Sequence, residues 1–151
     1  MFIEPSYTIK NALTMNISSF DDLLQAARQQ PEPQRLLFVF AGAELPDDST
    51  VAQRAQFLNG DGGALVPMMC VDKTPQELNS FADLVKESLE FGKPWTIVFA
   101  AAMSSNDGTQ PSSEAAEKQL QKMVEAIKAG TLGSYIPFDR EGRPVMLSEL
   151  Y

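Results

Sequence analysis

Residues 35–41 have the sequence RLLFVFA, a run in which six apolar and aromatic residues follow Arg35 without a break. Such a run is typical of a β-strand that lies inside a sheet and is covered on both faces. Two further runs are similar, ALVPMMCV at 64–71 and PWTIVFAAA at 94–102. Pro67 cannot donate a hydrogen bond to a neighbouring strand, so the run at 64–71 is predicted to be an edge strand or a bulged one.

Segments with helical periodicity lie before, between and after these strands. A serine at 18 or 19 is expected to cap a helix that ends before Pro31. Residues 74–77, TPQE, have the pattern of a capping box with proline at the first helical position, and they predict a helix over 74–92. A further helix is expected at 113–130, and a short one at 50–58.

This alternation of helices and strands predicts a layered α/β domain. We expect a single domain at 15–151, with a mixed or mostly parallel sheet of about five strands and with helices packed on it. Residues 134–147 are expected to form a C-terminal β-hairpin whose turn uses Gly142. Residues 1–14 are set apart as an arm, either disordered or extraneous to the domain. In a mostly parallel sheet, the polar loops after the first three strands gather at one edge.

Composition excludes several classes of function. The chain has 151 residues, 20 acids against 12 bases, a net charge of −8, no histidine and one cysteine. Without histidine there is no Ser-His-Asp triad and no imidazole zinc site. A lone cysteine cannot close an intramolecular disulfide, so we expect a cytoplasmic protein. Acidity disfavours nucleic acid as a partner, and no apolar run reaches the ~20 residues that span a membrane.

Polar residues follow each predicted strand, and at a shared edge they are candidates for binding. Carboxylates from several strand ends suit Mg²⁺ or an acid/base pair. The same residue types are also what turns and helix caps require, and both interpretations stay open. We assign no catalytic residue, metal or cofactor. The candidate binding residues are Glu44, Asp72, Lys73, Ser104, Asn106 and Asp107.

A small anion is a further candidate ligand where Lys73 precedes the predicted helix start at Thr74. Glu77 is expected to occupy the same amides, which disfavours the anion. Cys70 is expected to be a small buried hydrophobe, because free cysteines usually are. A further set of side chains is predicted to pack in the core, with a soft binding surface as the alternative: Phe57, Met68, Met69, Phe81, Phe91 and Trp95.

Three segments carry a resemblance to a known family: LLFVFAGA at 36–43, ALVPMMCVDK at 64–73 and IPFD at 136–139. Over about residues 15–145 the chain is similar to a family of short bacterial proteins often labelled ribonucleotide reductase subunit alpha. The resemblance implies a bacterial cytosolic protein with a compact fold. The radical chemistry of that enzyme needs a cysteine pair and a third cysteine, whereas this chain has only Cys70, so the resemblance implies no catalytic residue here.

Three hypotheses for function follow. The first is a non-catalytic binding or accessory module that presents the strand-end loops, or the hairpin with Tyr135 and Phe138, to a protein partner. The second is a small Mg²⁺-assisted or phosphate-handling enzyme that uses the strand-end acids and Lys73. The third is a homodimer that pairs exposed edge strands.

Overall fold

The structure is a computed structural model, and it describes residues 7–9, 18–44, 50–52, 64–92, 94–105, 107–131 and 135–145. The short helix predicted at 50–58 lies largely outside these residues. The strands are β1 (Tyr7–Ile9), β2 (Gln34–Glu44), β3 (Ala64–Lys73), β4 (Ile97–Ser105) and β5 (Ile136–Phe138), and the helices are α1 (Phe20–Arg28), α2 (Phe81–Leu89) and α3 (Ser113–Ala129).

All described strand pairs are antiparallel, so the prediction of a mixed or mostly parallel sheet is wrong. The sheet has the order β1-β4-β2-β3, and β5 pairs with β4 beside this path. The helical pattern between β3 and β4 led to the parallel prediction. These two strands do run in the same direction, but β2 lies between them in the opposite direction, as in a split β-α-β unit.

The run at 35–41 occupies the middle of this sheet, as its sequence predicts. From residue 36 to residue 41, every side chain of β2 is at most 2% exposed. The even-numbered ones belong to an apolar cluster under α1 and α2, and the odd-numbered ones to a cluster under α3. Helices therefore cover both faces of β2.

Aromatic side chains fill the cluster under α1 and α2. The ring of Phe20 lies 4.7 Å from that of Phe81 and 5.4 Å from that of Phe138, measured between centroids. The Trp95 ring stands edge-on to Phe40, and its Nε1 donates to the Ser88 Oγ over 2.8 Å. Phe138 is fully buried and Tyr135 is half-buried, so the hairpin hypothesis loses one of its two aromatic contact residues.

Helix α2 begins later than its capping box predicts. Thr74 N donates to Glu77 Oε1 over 2.8 Å and Glu77 N to Thr74 Oγ1 over 3.3 Å, so the box forms, but only a turn follows. The Leu78 carbonyl, which a continuous helix would use internally, accepts from Arg28 Nη2 over 2.8 Å. Ser80 is extended and caps the helix that starts at Phe81.

The C-terminal segment returns along β4. β5 pairs with β4, and the chain then turns so that Asp139 N donates to the Arg143 carbonyl and a single bridge joins Phe138 to Pro144. Gly142 has a φ of 80° in this turn. β1 also pairs with β4, although it falls within the segment 1–14 that the sequence sets apart. No helix that the structure describes is long and apolar enough to span a bilayer.

Gly142→Ala should destabilise the fold by about 3 kcal/mol, because the left-handed backbone and the filled space both oppose a side chain. A Cβ there would lie 3.1 Å from Phe81 Cδ2 and 3.4 Å from Phe20 Cβ. Gly130→Ala is the matched control: Gly130 has a φ of 79° and open space around it, so only about 1 kcal/mol is expected. Urea denaturation measures both losses, and equal losses would contradict this packing.

Candidate functional site

The antiparallel sheet divides the predicted binding residues between two ends of the molecule. β2 runs opposite to β3 and β4, so its last residue, Glu44, pairs with Ala64 at the start of β3. Asp72, Lys73 and Ser104 lie at the other end. Asn106 lies outside the described residues. The sheet therefore does not bring Glu44 to the other candidates, and the enzyme hypothesis loses one of its acids.

Asp72 belongs to a polar network centred on Arg35. Arg35 Nε lies 2.6 Å from Asp72 Oδ2, and the two side chains are 13% and 20% exposed. The same guanidinium donates to the Pro111 carbonyl over 3.1 Å and to Ser113 Oγ over 2.7 Å, and Ser113 Oγ donates to Asp72 Oδ2. This network fixes the first turn of α3 to the sheet, which explains the acid as a structural residue.

Lys73 is held on the opposite face of the sheet. It pairs with Leu36 of the α1/α2 cluster, and its Nζ lies 2.9 Å from Glu87 Oε1 on α2. Glu77 occupies the Thr74 amide as predicted, and this backbone hydrogen bond is the largest cause of its lowered pKa. The ammonium and the amide that suggested an anion site are therefore both engaged within the chain.

Ser104 and Asp107 are positioned by the end of β4. The strand continues to Ser105, past the predicted start of the loop, and Ser104 is only 6% exposed. Asp107 Oδ1 accepts from Thr109 Oγ1 over 2.7 Å, from Ser105 Oγ over 2.8 Å and from Thr109 N over 3.1 Å. Among the described residues, no group of three acids and cysteines is placed to hold a metal ion.

A different feature is the outer edge of β3. In the described part of the chain no strand pairs with this edge, and the strand that was predicted to be an edge strand or a bulged one has both features. Its register with β2 shifts at Met68, because Phe40 faces Met69 whereas Ala41 faces Pro67. The bulge and the proline both disfavour strand addition along the first half of β3. Residues 69–73 form the regular half.

The hydrogen-bonding groups of this regular half can be assigned from β2. The Ala41 carbonyl accepts from Thr96 N, which precedes β4, so the backbone N–H and C=O groups of Ala41 point toward β4. Those of Phe40, one residue earlier, point toward β3. Met69 faces Phe40, so the backbone groups of Met69 form hydrogen bonds with β2. Cys70 and Asp72 alternate with it, so their N–H and C=O groups point outward. Two donors and two acceptors are thus spaced as a further strand requires.

An apolar cleft lies beside these groups. It has a volume of about 90 Å³ between β3 and α2. This volume is below the ~150 Å³ that holds benzene and far below the ~300 Å³ at which small-molecule sites begin, so the cleft suits one aliphatic side chain. Its lining consists of Phe40, Met69, Cys70, Val71, Leu84, Glu87, Ser88 and Phe91.

Two side chains at this cleft differ from the core assignment made from sequence. Phe91 follows the last turn of α2 and is 67% exposed, so its core assignment is wrong, whereas Trp95 is buried as predicted. Cys70 is exposed, because its strand forms the edge of the sheet. Its thiol faces the α3 side with Val39, where desolvation and the carboxylates of Asp72 and Glu117 raise its pKa.

A wider groove lies between α1, α2 and the turn after β5. Its volume is about 630 Å³, with Phe81 and Val85 among its apolar residues. Its lining includes two acids and two bases, and one of the bases, Arg140, is held against Trp95, whose carbonyl accepts from Arg140 Nε over 2.6 Å. Ser80, the only hydroxyl in its lining, accepts from Asp83 N as the α2 cap. No nucleophile with an adjacent base is present among these described residues.

Arg35→Met should destabilise the protein by about 2 kcal/mol, because Asp72 and the Pro111 carbonyl lose their donor at a site with little solvent. Arg143→Met is the control, since the Arg143 side chain is 68% exposed in its ion pair with Asp139 and such pairs contribute at most about 1 kcal/mol. Chemical denaturation of both variants gives the comparison. A similar loss for the two would contradict a structural role for Arg35.

Asp107 should titrate with a pKa of about 2, below the usual 3.8, chiefly because the Thr109 hydroxyl donates to the charged form. A pKa depressed by folding stabilises the folded state above pH 3.8, and this contribution disappears as the pH falls toward 2. NMR of the carboxyl carbon measures the value. Thr109→Val should raise this pKa and Thr109→Ser should retain it; an unchanged pKa in Thr109→Val would contradict the assignment.

Comparisons with known proteins give no relative for this chain. The family resemblance therefore stays a prediction. The chain matches no protein-family model, and no curated protein or solved structure is significantly similar to it.

Proposed function

We propose that the protein is a non-catalytic binding module that takes up an extended segment of a partner protein along the outer edge of β3. The observation that carries this proposal is the coincidence of two features: a regular half-strand whose outer edge has no strand partner among the described residues, and an apolar cleft of side-chain size. Strand addition uses both features, since backbone hydrogen bonds give affinity and pockets for alternate side chains give specificity.

The position of α2 supports this mode of binding. Leu84 and Phe91 form one wall of the cleft, and Met69 and Val71 of β3 form the other. A strand laid against β3 would direct every second side chain to the face occupied by α2. The exposed Phe91 ring would then lose solvent contact, which is how aromatic residues contribute at binding surfaces.

The chemistry of the remaining candidate residues favours binding over catalysis. Asp72 and Lys73 are both held in ion pairs, and Asp107 accepts from Ser105 and Thr109. Of the two surfaces proposed from sequence, the strand-end loops and the hairpin, the hairpin loses one of its two aromatic residues because Phe138 is buried, and the β3 edge is the surface proposed here instead.

Phe91→Ser tests the proposal. Random peptides displayed on phage would be selected on the folded protein, and amide exchange would locate the selected binders. We expect protection of the Cys70 and Asp72 amides, with affinity about tenfold weaker in Phe91→Ser. Leu89→Ser is the matched control, because Leu89 is 51% exposed near the same helix end but lines the wider groove. The affinity of this variant for the selected peptides should equal that of the parent protein.

Both variants should retain the stability of the parent protein, because each replaces an exposed side chain. Selected peptides that leave the β3 amides unprotected, or that bind Phe91→Ser as tightly as the parent, would contradict strand addition at this edge.

A further inference from the structure

Two residues with outward-facing backbone groups flank Val71 on the regular half of β3. The N–H and C=O groups of Cys70 and Asp72 point away from β2, as the register with that strand requires. A strand added to this edge is therefore hydrogen-bonded on both sides of the position opposite Val71. Among the described residues of the edge, this position has the most closely fixed register.

The partner residue opposite Val71 projects to the α2 face in either strand direction. Residues that lie directly opposite one another in a sheet place their side chains on the same face, in parallel and antiparallel pairs alike. Val71 pairs with Phe38 of the α1/α2 cluster and lines the apolar cleft. The partner side chain opposite Val71 therefore meets the cleft, whereas its two neighbours in the added strand project to the α3 face.

The two polar side chains that α2 contributes to the cleft already have partners within the chain. Ser88 Oγ donates to the Val85 carbonyl over 2.6 Å and accepts from Trp95 Nε1 over 2.8 Å. Glu87 Oε1 lies 2.9 Å from Lys73 Nζ, so its charge is balanced. A charge or hydroxyl inserted here would lose water without gaining a dedicated partner. The cleft is thus electrostatically complementary to a neutral, apolar side chain.

The size of the cleft limits this side chain further. Its volume of about 90 Å³ is below the ~150 Å³ of a cavity that holds benzene, so a phenyl group is too large to enter. An alanine methyl group would leave most of the space unfilled and would lose the corresponding dispersion contacts. The side chains that fit are those of Val, Ile and Leu, of which the first two also favour extended backbone.

We infer that the segment bound at β3 is selected by one aliphatic residue, Val, Ile or Leu, which lies opposite Val71 and enters the cleft. This inference rests on the proposed function and specifies its partner. The hydrogen bonds to Cys70 and Asp72 are made by backbone groups that nearly every residue type provides. The single aliphatic side chain therefore supplies the selectivity.

A series of seven-residue peptides tests the inference. Each consists of threonine and serine around one variable central residue, and fluorescence anisotropy gives its affinity. A central Val, Ile or Leu should bind about tenfold more tightly than Ala, because it fills the cleft. A central Thr, which has the shape of Val but carries a hydroxyl, should bind no more tightly than Ala, and neither should Phe. Amide exchange at Cys70 and Asp72 locates the bound peptide.

Val71→Ala should change the size preference of the cleft. Val71 is half-buried in the cleft wall, so its truncation makes room for a larger side chain. The ratio of the affinity for the Phe peptide to that for the Val peptide should rise about fivefold. Val66→Ala is the matched control, because Val66 is half-buried in the first half of the same strand, away from the cleft lining. It should leave this ratio unchanged.

The outcomes separate the two proposals. If every central residue binds at β3 with equal affinity, or if the Phe peptide binds the parent protein as tightly as the Leu peptide, the inference about the partner is wrong and strand addition stands. The same conclusion follows if Val71→Ala and Val66→Ala behave alike. If no peptide protects the β3 amides, strand addition itself is wrong. Sedimentation that shows a dimer with protected β3 amides in the free protein would overturn both in favour of a second copy.

Discussion

Burial of β2 on both faces is the constraint on which the rest of the structure depends. Six consecutive side chains of this strand are almost fully excluded from water, so the sheet must carry helices above and below it. α1 and α2 supply one layer and α3 the other. The two strands that flank β2 then have different surroundings: β4 lies inside the sheet, and β3 forms its edge.

The edge position gives β3 its unusual combination of features. Edge strands are usually protected against further pairing by charges, proline or bulges. Here the proline and the bulge lie in the first half, and the two charged residues of the second half, Asp72 and Lys73, are engaged on the two faces of the sheet. Their charges do not project across the edge, so the backbone of the second half keeps its capacity to pair.

Much of the fold could be predicted from sequence, because burial leaves a local pattern. The apolar runs located β2, β3 and β4, and Pro67 marked the edge strand. Strand direction left no such pattern, since a strand buried on both faces is equally apolar in parallel and antiparallel sheets. The insertion of β2 between β3 and β4 is a long-range choice that residues 64–105 alone do not encode.

The candidate site was less predictable because its contacts also join residues that are far apart in the sequence. Asp72 and Lys73 follow one another in sequence, yet they project to opposite faces, where Arg35 and Glu87 hold them. Arg35 was missed because it opens an apolar run, and its partner Ser113 lies 78 residues away. A charged residue at the start of a strand otherwise buried on both faces was the available signal, since a cation there needs a partner.

Charge connects the open edge to the acidity of the whole chain. A regular half-strand that has no strand partner in the described part of the chain favours association between identical copies, and a net charge of −8 opposes that association through mutual repulsion. Under the proposed function, this repulsion would give the edge a selectivity against its own copies that hydrogen bonding alone would not provide, because backbone groups are identical in every protein.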